Sequence, residues 1–268
     1  MNFLVNGHTT YCYTGGKAFD AAKPTLIFIH GVLNDHSVWI LQTRYLAHHG
    51  WNVLAVDLPG HCRSAGDPPA SVEEAADFVI ALMDAAGLEK ATLVGHSLGS
   101  LIALEAAARA LQRIKQLVLV GAAFPMKVSP VLLESSLNTP MKALEMVNIF
   151  SRSTLAPPPS GMGPGTWVYG ASLALGRRVL ASNTRVNLFH TGFLACDSYS
   201  HGEEAMEQVP CPVLFVLGSA DQMAPPKAAQ GLLEKAHNAR VVYLPGGHQQ
   251  MNETPEPMLA ALTDFLKP

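Results

Sequence analysis

The sequence is poor in charge: only 15% of its 268 residues are Asp, Glu, Lys or Arg, and the formal net charge is −3. Without a run of Lys and Arg there is no basic field to draw a phosphate backbone, so nucleic acid is not expected as a partner. Cysteine is scarce as well. Cys12, Cys62, Cys196 and Cys211 are scattered, with no CxxC spacing of the zinc or dithiol kind, and read as reduced thiols. No uncharged apolar stretch reaches the roughly 20 residues a spanning helix needs. The opening MNFLVNGHTT lacks the basic start and apolar middle of a signal peptide. Together these absences predict a cytoplasmic protein that does not engage a membrane.

Hydrophobic residues are plentiful, at 49%. The chain is long enough for one large domain with a sizeable core, with or without an insertion. NFLV and TTYCYT, flanking Asn6-Gly7, read as an antiparallel hairpin. After it, the runs TLIFIH, NVLAVD, ATLVGH and QLVLVG are apolar throughout rather than alternating, as strands buried on both faces are. Helical stretches separate them: SVWILQTRYLAHH, stopping at Gly50, then SVEEAADFVIALMDAAG, then LGSLIALEAAARAL. Ser71 and Glu74 are spaced as a capping box for the second. Strands alternating with helices predict an α/β fold with a mostly parallel central sheet flanked by helices.

The alternation halts near Phe124-Pro125 and resumes with PVLFVLG, a helix over 226–236, RVVYL, and a last helix over 255–266. Between them no buried strand is evident, only helical stretches broken by the proline- and glycine-rich LAPPPSGMGPG. The expected organisation is a core domain of residues 1–124 and 209–268 with a helical lid inserted over 125–208.

Ser97 lies in Gly95-His96-Ser97-Leu98-Gly99, a G-x-S-x-G pattern that follows an expected strand and opens an expected helix. A residue on that turn is strained, and only small neighbours let the turn close. The helix N-terminus offers free N–H groups to an anion. A serine hydroxyl still needs a base to become a nucleophile. His248, in the glycine-assisted loop after RVVYL, has that position; His48, His49 and His237 instead close helices. Asp221, in the loop after PVLFVLG, is the acid in the order Ser, Asp, His, preferred over Asp197 in the insertion, Asp57 after an early strand and Asp264 on the last helix. The oxyanion donors expected are the N–H groups of Leu98, after the nucleophile, and Val32, in His30-Gly31-Val32-Leu33. His30, preceding that turn, reads as a residue that fixes the loop rather than as a base.

With these pieces in hand the chain resembles the α/β-hydrolase superfamily, in its lidded serine-esterase branch. The resemblance rests on His30-Gly31, DLPGHCRS from Asp57 to Ser64, GHSLG, the Asp221 loop and GGHQQMNETPEP from Gly246 to Pro257. It covers 25–124 and the chain from Val209 onward. One departure is Cys62, where similar chains carry a glycine in a left-handed turn.

The resemblance implies a hydrolase acting on an ester, thioester or lactone without metal or organic cofactor. A serine in the elbow separates it from members that use an aspartate nucleophile. Carbon–carbon bond hydrolysis of ring-cleavage products and cofactor-free perhydrolysis are alternatives, the former disfavoured by VLND where a Gly-Pro-Gly loop is typical. A ligand receptor with a slow triad is the non-enzymatic alternative. Met126, Met141, Met146, Met162, Trp167, Phe189 and Phe193 in the lid, with Phe124 and Met223 beside it, suggest an accommodating apolar pocket for a small, apolar, ester-like molecule. Oligomeric state is not legible.

Overall fold

A computed structural model of the chain describes residues 1–20, 22–153 and 167–266. It opens with the antiparallel pair β1 (Asn2–Val5) and β2 (His8–Tyr13). Asn6 and Gly7 between them sit at φ 50° and 80°, the left-handed conformation that this dipeptide adopts most readily in a tight hairpin. Strand β3 (Thr25–Ile29) follows, then a 3-10 turn at His36–Trp39 continued by α1 (Ile40–His48). Next come β4 (Asn52–Val56), α2 (Val72–Ala85), β5 (Ala91–His96), α3 (Leu98–Arg109) and β6 (Ile114–Val120). Ser71 caps α2 by accepting the Glu74 N–H at 3.2 Å, while Glu74 reaches back to the Ala70 N–H at 2.8 Å, one residue earlier than a standard box.

Beyond β6 the described residues form α4 (Pro130–Asn138), α5 (Pro140–Ser151), α6 (Val168–Ser182), α7 (Leu188–Ser198) and α8 (Gly202–Gln208), with no strand among them. Met162 and LAPPPSGMGPG lie outside the described residues. The sheet resumes with β7 (Val213–Gly218), then a 3-10 turn at Pro226–Ala229 leading into α9 (Gln230–Lys235), β8 (Ala239–Leu244), α10 (Gln250–Glu253) and α11 (Pro255–Phe265).

The eight strands form one sheet in the order β1-β2-β4-β3-β5-β6-β7-β8. β1–β2 and β2–β4 are antiparallel, and every pairing from β4 to β8 is parallel. Strand β3 shows why the apolar runs are unbroken. Leu26 and Phe28 point into the layer that holds Trp39, Met251 and Leu262, whereas Ile27 and Ile29 point into the layer that holds Val79, Leu101 and Ile102. Both faces are covered by helices, so all four side chains are fully buried, each worth about 1.5–3 kcal/mol on transfer from water.

A third, smaller cluster joins Leu33 to Ala143, Leu144, Val179, Leu188, Phe189 and Phe193, and seats α5, α6 and α7 on the β3 loop. Helix α8 behaves differently: it packs on α3 and α9, and its Ala205 and Met206 belong to the sheet's own core. No helix among the described residues is long and apolar enough to cross a membrane.

Candidate active site

The parallel register brings four loops to one edge. β3 pairs with β5 so that Ile29 faces Gly95, β5 with β6 so that His96 faces Val120, and β7 with β8 so that Gly218 faces Leu244. The residues that follow β3, β5, β7 and β8 therefore emerge side by side at the carboxyl ends of the strands. The chain steps from β3 to β4 on one side and to β5 on the other, a reversal that leaves a crevice in such sheets.

Ser97 occupies the turn from β5 to α3 at φ 53°, ψ −121°. For a residue with a Cβ this is a strained conformation, costing on the order of 1–3 kcal/mol. Its neighbours hold it there. A Cβ on Gly95 would stand 2.0 Å from the Gly99 carbonyl oxygen, and one on Gly99 would stand 2.3 Å from the Ile29 carbonyl oxygen. Ser97 N–H donates to the Val120 carbonyl at 2.9 Å, and Ser100 donates twice to the Ser97 carbonyl, from N at 2.8 Å and from Oγ at 2.6 Å. Backbone bonds thus fix the turn and leave the Ser97 hydroxyl facing a cavity.

Asp221 and His248 meet across the β7 and β8 loops, with Oδ2 and Nδ1 2.7 Å apart and both side chains buried. The other carboxylate oxygen accepts the N–H groups of Met223, at 2.9 Å, and Ala224, at 2.8 Å. A carboxylate only accepts, so Nδ1 carries the hydrogen and a neutral imidazole keeps its lone pair on Nε2. The competing acids are engaged elsewhere: Asp197 accepts from Val128 N–H, Asp57 from His36 and Arg63, and Asp264 pairs with Arg240.

His30 donates from Nδ1 to the Gly31 carbonyl at 2.9 Å and accepts the Leu58 N–H on Nε2 at 3.2 Å, tying the β3 loop to the β4 loop. Burial holds it below the ordinary histidine range, as a neutral tie requires. His96, which the motif leaves unspecified, donates from Nε2 to the His248 carbonyl at 2.8 Å. Burial, reinforced by the nearby His248, keeps His96 well below its usual value and neutral. Its only sequence signal was its place inside GHSLG. Cys62 keeps the left-handed turn at φ 45° although it is not glycine, and burial beside Asp35 and Asp57 pushes its thiol up to about 12.

Ser97 and His248 line a cavity of about 390 Å³ with Val32, Phe189, Phe193 and Met223. Met126 lines an adjoining space of about 220 Å³ that Val32, Ser97, Phe193, Met223 and His248 share. Leu98 is the first residue of α3, where a helix has no acceptor of its own for the N–H. Two expected pocket residues stand elsewhere. Phe124 packs edge-on against Tyr199 and over Gly202, which draws it to the α8 side. Trp167, at the start of α6, is 64% exposed and stacks back over Gly170. Nor is the wall uniformly apolar: Asn34, Asn148, Arg152, Ser172 and Asn252 also line it, none of them singled out by hydrophobicity.

Asp35, His36 and Asp57 bring their ligand atoms within 4.8 Å of one another. Donors already occupy both carboxylates: Ser37 and Arg178 on Asp35, His36 and Arg63 on Asp57. Burial would raise the Asp35 carboxyl, but the Ser37 hydrogen bonds and Arg178 outweigh it and hold it at about 2.

The chain has relatives. Residues 24–253 match the alpha/beta hydrolase fold family. The chain belongs to that family. A dihydrolipoyllysine-residue acetyltransferase component of an acetoin cleaving system from Cupriavidus necator is 37% identical over 41% of this chain, and the match spans only 28% of that protein's length. A putative carbamate hydrolase, RutD, of Caulobacter sp. (strain K31) is 28% identical over 94% of this chain and 93% of its own. Among solved structures, the enol-lactonase from Burkholderia xenovorans LB400 superposes with a TM-score of 0.82 over 99% of both chains at 22% identity. At that identity it speaks for the hydrolase fold alone.

Proposed function

We propose that this family member is a serine hydrolase that cleaves a carboxylic ester, thioester or lactone through an acyl-enzyme on Ser97. The observation that carries the reading is the buried Asp221–His248 pair opening onto the same cavity as a serine held at φ 53°. His248 takes the Ser97 proton on Nε2 as the oxygen attacks the substrate carbonyl. Asp221 steadies the imidazolium that forms, itself anchored by the Met223 and Ala224 N–H groups. The N–H groups of Leu98 and Val32 receive the developing oxyanion, and the N-terminal end of α3 adds its partial positive charge. His248 then hands its proton to the leaving oxygen or sulfur. In the second half His248 takes a proton from water as the water oxygen bonds to the acyl carbon. It then returns the proton to Ser97 Oγ as the acyl–oxygen bond breaks, freeing the acid and restoring both residues. Every step uses groups of this chain and solvent water.

Chromogenic esters of increasing acyl length, assayed with the wild-type protein and with Ser97→Ala, test the reading. Turnover by the former and none above background by the latter is expected. Tight ester binding without turnover by the wild-type protein would contradict it.

A further inference from the structure

The end of α5 lines the cavity with polar groups that nothing among the described residues satisfies. Asn148, Ser151 and Arg152 all line it, and they are 5%, 2% and 8% exposed. Asn148 Nδ2, Ser151 Oγ, and Arg152 Nε and Nη1 have no hydrogen-bond partner among the described residues. Arg152 spends only Nη2, on Ser172 Oγ. The carboxylate whose charge reaches it, that of Glu253, is itself taken by Ser153, through N at 2.8 Å and Oγ at 2.7 Å. Burial holds the guanidinium below its ordinary value, yet arginine stays charged in proteins. A buried cation with free donors is costly to keep, and interiors rarely leave such groups unpaired.

The cluster is also fixed relative to the chemistry. Ser151 carbonyl accepts the His248 N–H at 2.7 Å, so the end of α5 is stitched to the loop that carries the imidazole. The site's excess is all of one kind: an arginine fork flanked by an amide and a hydroxyl, facing the cavity that holds Ser97. A carboxylate accepts charge-assisted bonds from such a guanidinium and from the amide and hydroxyl beside it. Arg178, the other cation lining the cavity, is committed to Asp35 at 2.6 Å. Glu253 gives Arg152 charge but no hydrogen bond, so Nε and Nη1 are the donors left for an anion.

We infer that Arg152, Asn148 and Ser151 bind a carboxylate carried by the substrate itself, so that the molecule opened at Ser97 is a small anionic ester, thioester or lactone. This rests on the hydrolytic reading above and departs from the expectation of an apolar substrate. Phe189, Phe193 and Met223 are then the wall for the carbon chain between the scissile carbonyl and the carboxylate.

Mono-4-nitrophenyl glutarate and its neutral counterpart 4-nitrophenyl hexanoate provide the test. The wild-type protein is expected to favour the glutarate ester in kcat/KM by about 10- to 100-fold, the worth of a charge-assisted pair. In Arg152→Gln that ratio should fall to about 1, and Arg152→Lys should restore part of it. Free glutarate should raise the melting temperature of Ser97→Ala, whose cavity is intact, and not that of the Ser97→Ala/Arg152→Gln double variant. Inorganic phosphate should do neither. If glutarate binds through Arg152 but no ester is cleaved, the anion site stands and the hydrolytic reading fails. If both esters are cleaved with no preference, or phosphate binds as well as glutarate, the anion inference is overturned and the hydrolytic reading is untouched. If Arg152→Gln fails to fold, an absent wild-type preference still overturns the inference, and Arg152→Lys, which keeps the charge, still tests the residue through the size of the preference.

Discussion

Strand β3 and helix α4 make a useful contrast. All five residues of β3 are buried, and its loop delivers Val32 to the cavity. Among the nine residues of α4 only Ser136 is buried, while Val131 and Leu137 stand exposed, as do Ile149 and Phe150 on the neighbouring α5. The sheet places its side chains by packing on two faces at once, which leaves each residue one position. Helices α4 to α6 contribute few buried side chains. The lid is tied to the core largely through the Leu33 cluster, α7 and polar contacts such as Arg178–Asp35, Ser151–His248 and Ser153–Glu253. The division that follows is chemical. On the proposed reading the sheet edge supplies Ser97, Asp221 and His248 for the chemistry common to all esters, and the lid supplies Phe189, Phe193 and Arg152 for choosing among them.

That division predicts where function breaks hardest. Ser97→Ala removes one hydroxyl on a turn fixed by backbone bonds, so the fold should persist while kcat falls by roughly 10⁴-fold or more. Circular dichroism and ester turnover on the same sample check both halves. Asp221→Asn keeps the bonds of Met223 and Ala224 to the side-chain oxygen but removes the charge that steadies the imidazolium. The loss expected in kcat is about 10²- to 10⁴-fold, and Asp197→Asn, on the lid, should lose far less. Equal losses in the two would erase the contrast between sheet and lid.

A lid substitution should show the other signature. Phe189→Ala empties a fully buried site shared by the lid cluster and the cavity wall, at a cost of about 3–5 kcal/mol in stability. Its kcat/KM should change unevenly along a series of acyl groups, while the reactivity of Ser97 toward a small serine reagent stays near that of the wild type. Uniform loss on all acyl groups would mean that the lid takes part in the chemistry itself.

The smallest effect expected is on stability against pH, and it belongs to the sheet. Burial lowers the pKa of His30, of His61 to about 4, and of His96 to well below its ordinary value. As pH falls below about 6.5 the unfolded chain takes up these protons before the folded one does, so stability is full above that pH and declines toward pH 4. The Asp35 carboxyl, held at about 2, adds its loss only at lower pH, between about 4 and 2. Melting temperatures should be level near pH 7.5 and fall by several degrees at pH 5, with a shallower fall in His61→Gln. A level curve from pH 7.5 to 5 would show that these imidazoles are not held neutral by the fold.

How far the sequence could be read follows the same line. TLIFIH and ATLVGH are strands because both faces are covered, and an apolar run of that length has little else to become. Ser97 and Asp221 each follow such a strand at its carboxyl end, and His248 follows the half-exposed edge strand β8, so register brings the three loops together. The 3-10 turns at His36–Trp39 and Pro226–Ala229 went unread, since apolar spacing does not separate them from the helices they start. In the lid, hydrophobicity said that Phe124 and Trp167 were large and apolar, but not which neighbour they would meet. One found Tyr199, and the other is mostly exposed. Arg152 drew no attention in the sequence. An arginine ending a helix normally reads as a solvated charge near the negative pole, and only the folded lid buries it.

The central claim is that the strained serine is the nucleophile and that the buried pair activates it. Its most direct test is labelling with a fluorophosphonate, followed by peptide mass spectrometry of the wild-type protein and of Ser97→Ala and His248→Ala. The account predicts one adduct per wild-type chain, on Ser97, none in Ser97→Ala, and labelling slowed by orders of magnitude in His248→Ala. An adduct on another residue, or labelling at the wild-type rate without His248, would contradict it.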